Sequence, residues 1–154
     1  MNERSIQNII FRECDRRRHR FMTPNTTVFG WESDMIAVTK AGLIIEYEIK
    51  ISRSDFRADF KKIRHRVFDA QMINEPHRGP AYFCYVVPAG LVKVDEIPMH
   101  AGLVYLAPGY QQIKPPPRLH GNKITDNQRQ WLERSLIHRY WRERLRTERL
   151  GDHD

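Results

Sequence analysis

The stretch that decides the fold is Trp31–Asp55, WESDMIAVTKAGLIIEYEIKISRSD. Two apolar runs flank Lys40-Ala41-Gly42, which reads as a hairpin-type turn. In a strand, side chains alternate between two faces. Ile44, Glu46, Glu48 and Lys50 therefore face one way, and Ile45, Tyr47, Ile49 and Ile51 face a dry core. Buried carboxylates are costly unless something pairs with them. Asp34 on one strand and Glu48 on the next can point into one cleft, with Lys50 on the Glu48 face. Hard cations such as Mg²⁺ take oxygen ligands from one or two carboxylates together with water and phosphate. In such a site the lysine holds or deprotonates a water and balances phosphate charge. An alternative reading of EYEIK is an edge strand whose exposed charges guard against aggregation.

Outward from this hairpin, residues 4–19 read as a helix, with Ile6, Ile9, Ile10 and Glu13 on one stripe. Glu13 stands there in place of an apolar residue, so it is a candidate site residue. The segment runs into Arg16-Arg17-Arg18-His19-Arg20. Met22–Asn25 reads as a turn around Pro24, and Thr26–Thr39 as extended chain bent at Gly30. Ser54 is the expected N-cap of one helix reaching about Gln71, with Phe56, Phe60, Ile63, Val67 and Ala70 inside. Arg57, Lys61, Lys62 and Arg64 would then contact phosphates. Asn74–Pro80 is a loop, Ala81–Val87 a strand buried on both faces, and Gly102–Ala107 a further strand. Residues 111–124, with Pro115-Pro116-Pro117, read as a stiff connector. Thr125 and Gln128 form a capping-box pattern that opens an arginine-rich last helix, in which Arg139 and Arg142 are further DNA-contact candidates. His19, His65, His77, His100, His120 and His138 show no ligand spacing and read as surface residues.

The chain has 154 residues, 40% hydrophobic, with a formal net charge of +7. That balance favours polyanionic partners. The two cysteines, Cys14 and Cys84, show no zinc or disulfide spacing and fit a reducing, cytoplasmic setting. No apolar run approaches the length of a membrane span, and no phosphate-binding glycine loop is present.

Asp34 followed by Glu48-Ile49-Lys50 after a glycine turn resembles the PD-(D/E)xK nuclease superfamily. GLIIEYEIKISRSDFRADFKK is also similar to the MmcB-like DNA-repair branch and to phage-encoded relatives. The resemblance implies a restriction-endonuclease-like α/β (α+β) core over 1–110. It has a mixed sheet flanked by helices, with the 125–154 basic helix packed on the same domain. It implies that Asp34, Glu48 and the Ile49 main-chain carbonyl hold Mg²⁺ or Mn²⁺, that Lys50 is the catalytic lysine, and that Glu13 is the first-helix acid. Gln71 or His65 matches a polar position that some members carry on the next helix. DNA is the implied partner, and a homodimer is one assembly the family uses. Ser33 stands where the family proline would be. Spacing to Lys50 favours Glu48 over Glu46; the resemblance alone favours Asp34 over Glu32. A non-catalytic DNA-binding or repair-accessory module on the same fold is the rival reading. A fainter one is an interaction subunit docking through the last helix.

Overall fold

A computed structural model describes residues 1–15, 18–72, 79–106 and 108–151. Arg16 and Arg17 of the basic run, and most of the 74–80 loop with His77, lie outside the described residues. The chain divides into two units, Met1–Ile124 and Thr125–Asp154.

The first unit is an α+β sandwich on a six-stranded mixed sheet, with strands in the spatial order of the chain. Helix α1 is Glu3–Cys14. The Asn2 side chain accepts from the Ser5 N–H at 2.9 Å while Ser5 Oγ accepts from the Asn2 N–H at 3.0 Å, satisfying two N-terminal donors. The helix stops before Asp15, whose backbone is extended, and β1 runs over His19–Thr27. The expected helix to residue 19 is thus shorter, and the expected turn at Pro24 is strand. Proline is tolerated because β1 is the sheet's edge, where its missing N–H deprives no neighbour.

A turn at Gly30, with φ 91°, separates β1 from β2, Glu32–Thr39. Strand β3 is Ile44–Ile49 and pairs antiparallel with β2, Met35 opposite Tyr47 and Ile36 opposite Glu46. Gly42 sits at φ 83° in the connecting turn, a conformation that favours glycine.

Beyond β3 the expected single helix is two. Helix α2 covers Arg53–Asp59 and α3 covers Arg64–Met72. Ser52, not Ser54, caps α2, its side chain accepting from the Asp55 N–H. The break leaves Phe60 and Ile63 exposed instead of inside. Strand β4, Tyr82–Pro88, then pairs parallel with β3, as the crossover allows. Its interior is buried, as its unbroken apolar run implied. Strand β5, Ala101–Leu106, is parallel to β4, and β6, Tyr110–Lys114, returns antiparallel at the other edge. β6 occupies the first part of the stretch read as a connector. The remainder is tied to the same unit, Leu119 N–H donating to Ala81 and Ile124 N–H to Gly42.

Each face of the sheet has its own core. Ile6, Ile10 and Cys14 of α1 pack with Met35, Tyr47, Ile49, Val86 and Val104. Phe56 of α2 and Phe68 of α3 pack with Phe83, Tyr85, Leu103 and Leu119 on the opposite face. The second unit is helix α4, Asp126–Gly151, opened by the Thr125–Gln128 capping box. No helix among the described residues is long and apolar enough to cross a membrane.

Candidate active site

Glu46 and Glu48 of β3, and Lys50 just after it, project onto the face covered by α2 and α3. All three are buried, Glu48 to 2% exposure and Lys50 to 9%. The charges are matched from the break between the helices. Glu48 Oε1 accepts from Lys50 Nζ at 2.6 Å, Arg64 NH2 at 2.7 Å and Lys62 Nζ at 3.3 Å. Asp59, the last residue of α2, meets the same three cations through Oδ1, at 3.1, 2.5 and 2.9 Å respectively. Removing one member of such a buried group strands the others without compensation.

Burial alone would lower the Lys50 pKa, but Glu48 and Asp59 outweigh it and hold the ammonium above its ordinary value. Burial works the other way on Asp59, where His65, Arg64, Lys62 and Lys50 together hold the carboxyl well below the usual carboxylate range. Glu46 accepts from Trp31 Nε1 at 3.1 Å and meets Arg64 NH1 at 3.4 Å. Its complete burial still pushes it up to about 7.

Asp34 lies beside this cluster on β2, half-buried. Its Oδ2 accepts the Ile49 N–H at 2.7 Å. The β3–β4 ladder explains why that N–H is available. Ile49 is registered with Val86, and Lys50 N–H donates to the Val86 carbonyl. In a parallel ladder this turns the N–H and C=O of Ile49 away from β4, toward β2, whose pairing with β3 ends at Met35. Burial, and next the charge of Glu48, push Asp34 up to about 7 despite the Ile49 N–H.

Asp34, Glu48, Ile49 and Lys50 are therefore brought together, and Glu13 is not. Glu13 is exposed, because the inward face of α1 is Ile6, Gln7, Ile10 and Cys14. The helix meets the site one end earlier. Gln7 Nε2 donates to the Asp34 carbonyl at 2.8 Å and to Glu3 Oε1 at 3.1 Å, and Glu3 adds to the upward push on Asp34. Glu13 lies ten residues from Glu3, about 15 Å along the axis.

Arg64 is not a phosphate-facing residue: it is 2% exposed and its guanidinium spans the buried acids. Lys62 is half exposed, at the rim of the cluster. Arg57 and Lys61 are exposed. In the second unit Arg142 is exposed and Arg139 partly buried. Glu32 is exposed, leaving Glu46 as a buried partner of Arg64 and Trp31. His65, His100 and His19, expected at the surface, are buried.

Among the described residues, no three His, Cys, Asp or Glu side chains gather at metal-ligand spacing. The candidate set here is different in kind: two carboxylates and one main-chain carbonyl. Glu48 Oε2 is buried with no hydrogen-bond partner, and burial, then the charge of Glu48, raises the Asp34 carboxyl. An orphaned carboxylate oxygen beside a second carboxyl, on the edge faced by the Ile49 carbonyl, fits a hard divalent cation.

No family model matches the chain, and no curated protein matches it. Among solved structures, SPO1766, a protein of unknown function from Silicibacter pomeroyi, is similar. The TM-score is 0.55 at 20% identity, covering 83% of this chain and 78% of that one. The likeness is one of fold.

Proposed function

We propose that the chain is a divalent-metal-dependent nuclease of the PD-(D/E)xK type that hydrolyses DNA phosphodiesters. The observation that carries this is the gathering of Asp34, Glu48, the Ile49 main chain and Lys50 at the end of one antiparallel strand pair. Asp34, Glu48 Oε2 and the Ile49 carbonyl would hold Mg²⁺ or Mn²⁺, which when bound supplies Lewis acidity to the phosphate and a more acidic water.

The chain's own residues do the rest. Lys50, kept charged by Glu48 and Asp59, is a donor and not a base. Two of its three N–H groups are engaged by these carboxylates, and the third is left for a phosphate oxygen or a water. A fixed cation aimed at developing negative charge is the more effective for being out of bulk water. Gln7 anchors the Asp34 backbone, and the Ile49 N–H orients its Oδ2. Lys62 at the rim of the cluster, with the exposed Arg57 and Lys61, would meet flanking phosphates. Arg139 and Arg142 of α4 are further contact candidates.

A second reading has its own support. Glu48 Oε1 already meets three cations, an arrangement suited to a DNA-binding module that turns nothing over. Incubation of duplex, single-stranded and branched DNA with Mg²⁺ or Mn²⁺ separates the two. The nuclease reading expects cleavage that falls at least about a hundredfold in Asp34→Ala and in Lys50→Ala, the loss typical of a removed transition-state donor. No cleavage of any substrate, or variants as fast as wild type, would favour the binding module.

A further inference from the structure

Behind the Lys50–Asp59 contact, buried titratable groups form a chain that ends in solvent. Asp59 Oδ2 accepts from Tyr85 OH at 2.8 Å and meets His65 Nε2 at 2.8 Å. His65 Nδ1 lies 2.9 Å from His100 Nε2. His100 Nδ1 lies 2.7 Å from Asp69 Oδ1. The two rings are buried, whereas the Asp69 side chain is 71% exposed.

The proton count of this chain is informative. Asp59 is an anion and only accepts, so His65 Nε2 carries a proton. An ionised Asp69 likewise requires a proton on His100 Nδ1. The contact between the rings requires one more. Three contacts thus need three ring protons, and two neutral imidazoles carry two. Filling the chain takes one proton beyond neutrality, shared across the His65–His100 contact.

The surroundings oppose and support that charge in turn. His65 is walled by the rings of Phe60, Phe68 and Phe83 and faces Asp59 from α2, Tyr85 from β4 and His100. His100 faces Asp69 from α3 and the charge of Lys114 from β6. Burial, with lesser contributions from His65 and Lys114, outweighs Asp69 and lowers the His100 pKa.

We propose that His65 and His100 are positioning residues that hold one shared proton between Asp69 and Asp59, and that its loss sets two ring lone pairs against each other at the 2.9 Å contact, displacing His65 and with it Asp59 and Lys50. This rests on the nuclease reading only for the use made of Lys50.

Side-chain ¹H–¹⁵N NMR of the full chain tests it without an activity assay. A single titration shared by both rings is expected, with the Lys50 ammonium signal fading as pH rises through it. Asp69→Asn changes only an exposed carboxylate and should lower that titration by roughly one pH unit, the effect of losing a close opposite charge. Asp69→Glu should restore it. Rings that titrate separately, a titration indifferent to Asp69→Asn, or a Lys50 signal unmoved by it would each overturn the proposal. If wild type cuts no DNA yet the shared titration and the Lys50 response are both seen, the nuclease reading falls and the histidine pair stands.

Discussion

At the residue scale, the site is a balance of buried charges, and each charge has a measurable sign. Asp59 is held anionic by four cationic or donating neighbours. Asp59→Asn should cost about 3–5 kcal/mol at neutral pH, the range for breaking a buried ionic group, as read by urea denaturation. Because its folded pKa is depressed, that contribution is present above the ordinary aspartate range and fades as pH falls well below it. Glu46 has the opposite sign. Its folded pKa of about 7 stands above the ordinary 4.5, so its contribution is full below pH 4.5 and is lost as pH rises through 7. Glu46→Gln should therefore flatten the fall in stability between those values, a fall on the order of 3 kcal/mol at most. Asp34, also raised to about 7, must lose its proton to hold a cation. Mn²⁺ affinity measured by calorimetry should accordingly rise as pH passes through 7 and level off above it. Asp34→Asn should abolish both binding and its pH dependence. Glu48 and Lys50 were legible on one face because strand alternation is a short-range rule, whereas alternation puts Glu32 and Asp34 on one face alike and only the resemblance separated them. Glu13 was misplaced because two helical series compete from Ile6. The one through Ile10 and Cys14 buries a cysteine, and the one through Ile9 and Glu13 would bury a charge.

At the element scale, the break between α2 and α3 makes the site. It ends α2 on Asp59, lets Lys62 turn inward over the acids, and starts α3 on Arg64 and His65. No proline or glycine marks residues 60–63, so an uninterrupted helix was the natural reading of Phe56 to Gln71. The charged cluster pulls the chain out of that helix, a tertiary override of local preference. The two readings differ in a simple stability measurement. Ile63 is 69% exposed, so Ile63→Ser should change stability by less than about 0.5 kcal/mol. Phe68→Ala should cost about 3–5 kcal/mol, since that ring is fully buried. A continuous helix would have made Ile63 costly to replace. The edge position of β1 is a second feature that only pairing reveals. Pro24 argued for a turn locally, yet it sits opposite Met35 in a ladder that needs nothing from its outer side.

At the scale of the whole molecule, the helix-flanked mixed sheet agrees with the reading of the chain as α+β, and the site sits where antiparallel pairing hands over to parallel pairing. The order β1 to β6 across the sheet follows the rule that consecutive elements are neighbours, but β1 and β6 were hidden in stretches that read as a turn and a connector. The contact of His100 with Asp69 was not legible, because it needs α3 and the turn before β5 to meet after a crossover. On the nuclease reading, the net charge of +7 and the exposed Arg57 and Lys61 would give the chain an affinity for DNA. Affinity should fall steeply with salt, and the double variant Arg57→Ala, Lys61→Ala should reduce the salt slope by about two, one per lost phosphate contact. The central claim is that two strands build a cation site from Asp34, Glu48 and the Ile49 carbonyl. Crystals soaked in Mn²⁺ test it through the anomalous signal of the metal. The account predicts a peak bounded by these three groups, absent in Asp34→Ala; a saturating soak that leaves this position without a peak would contradict it.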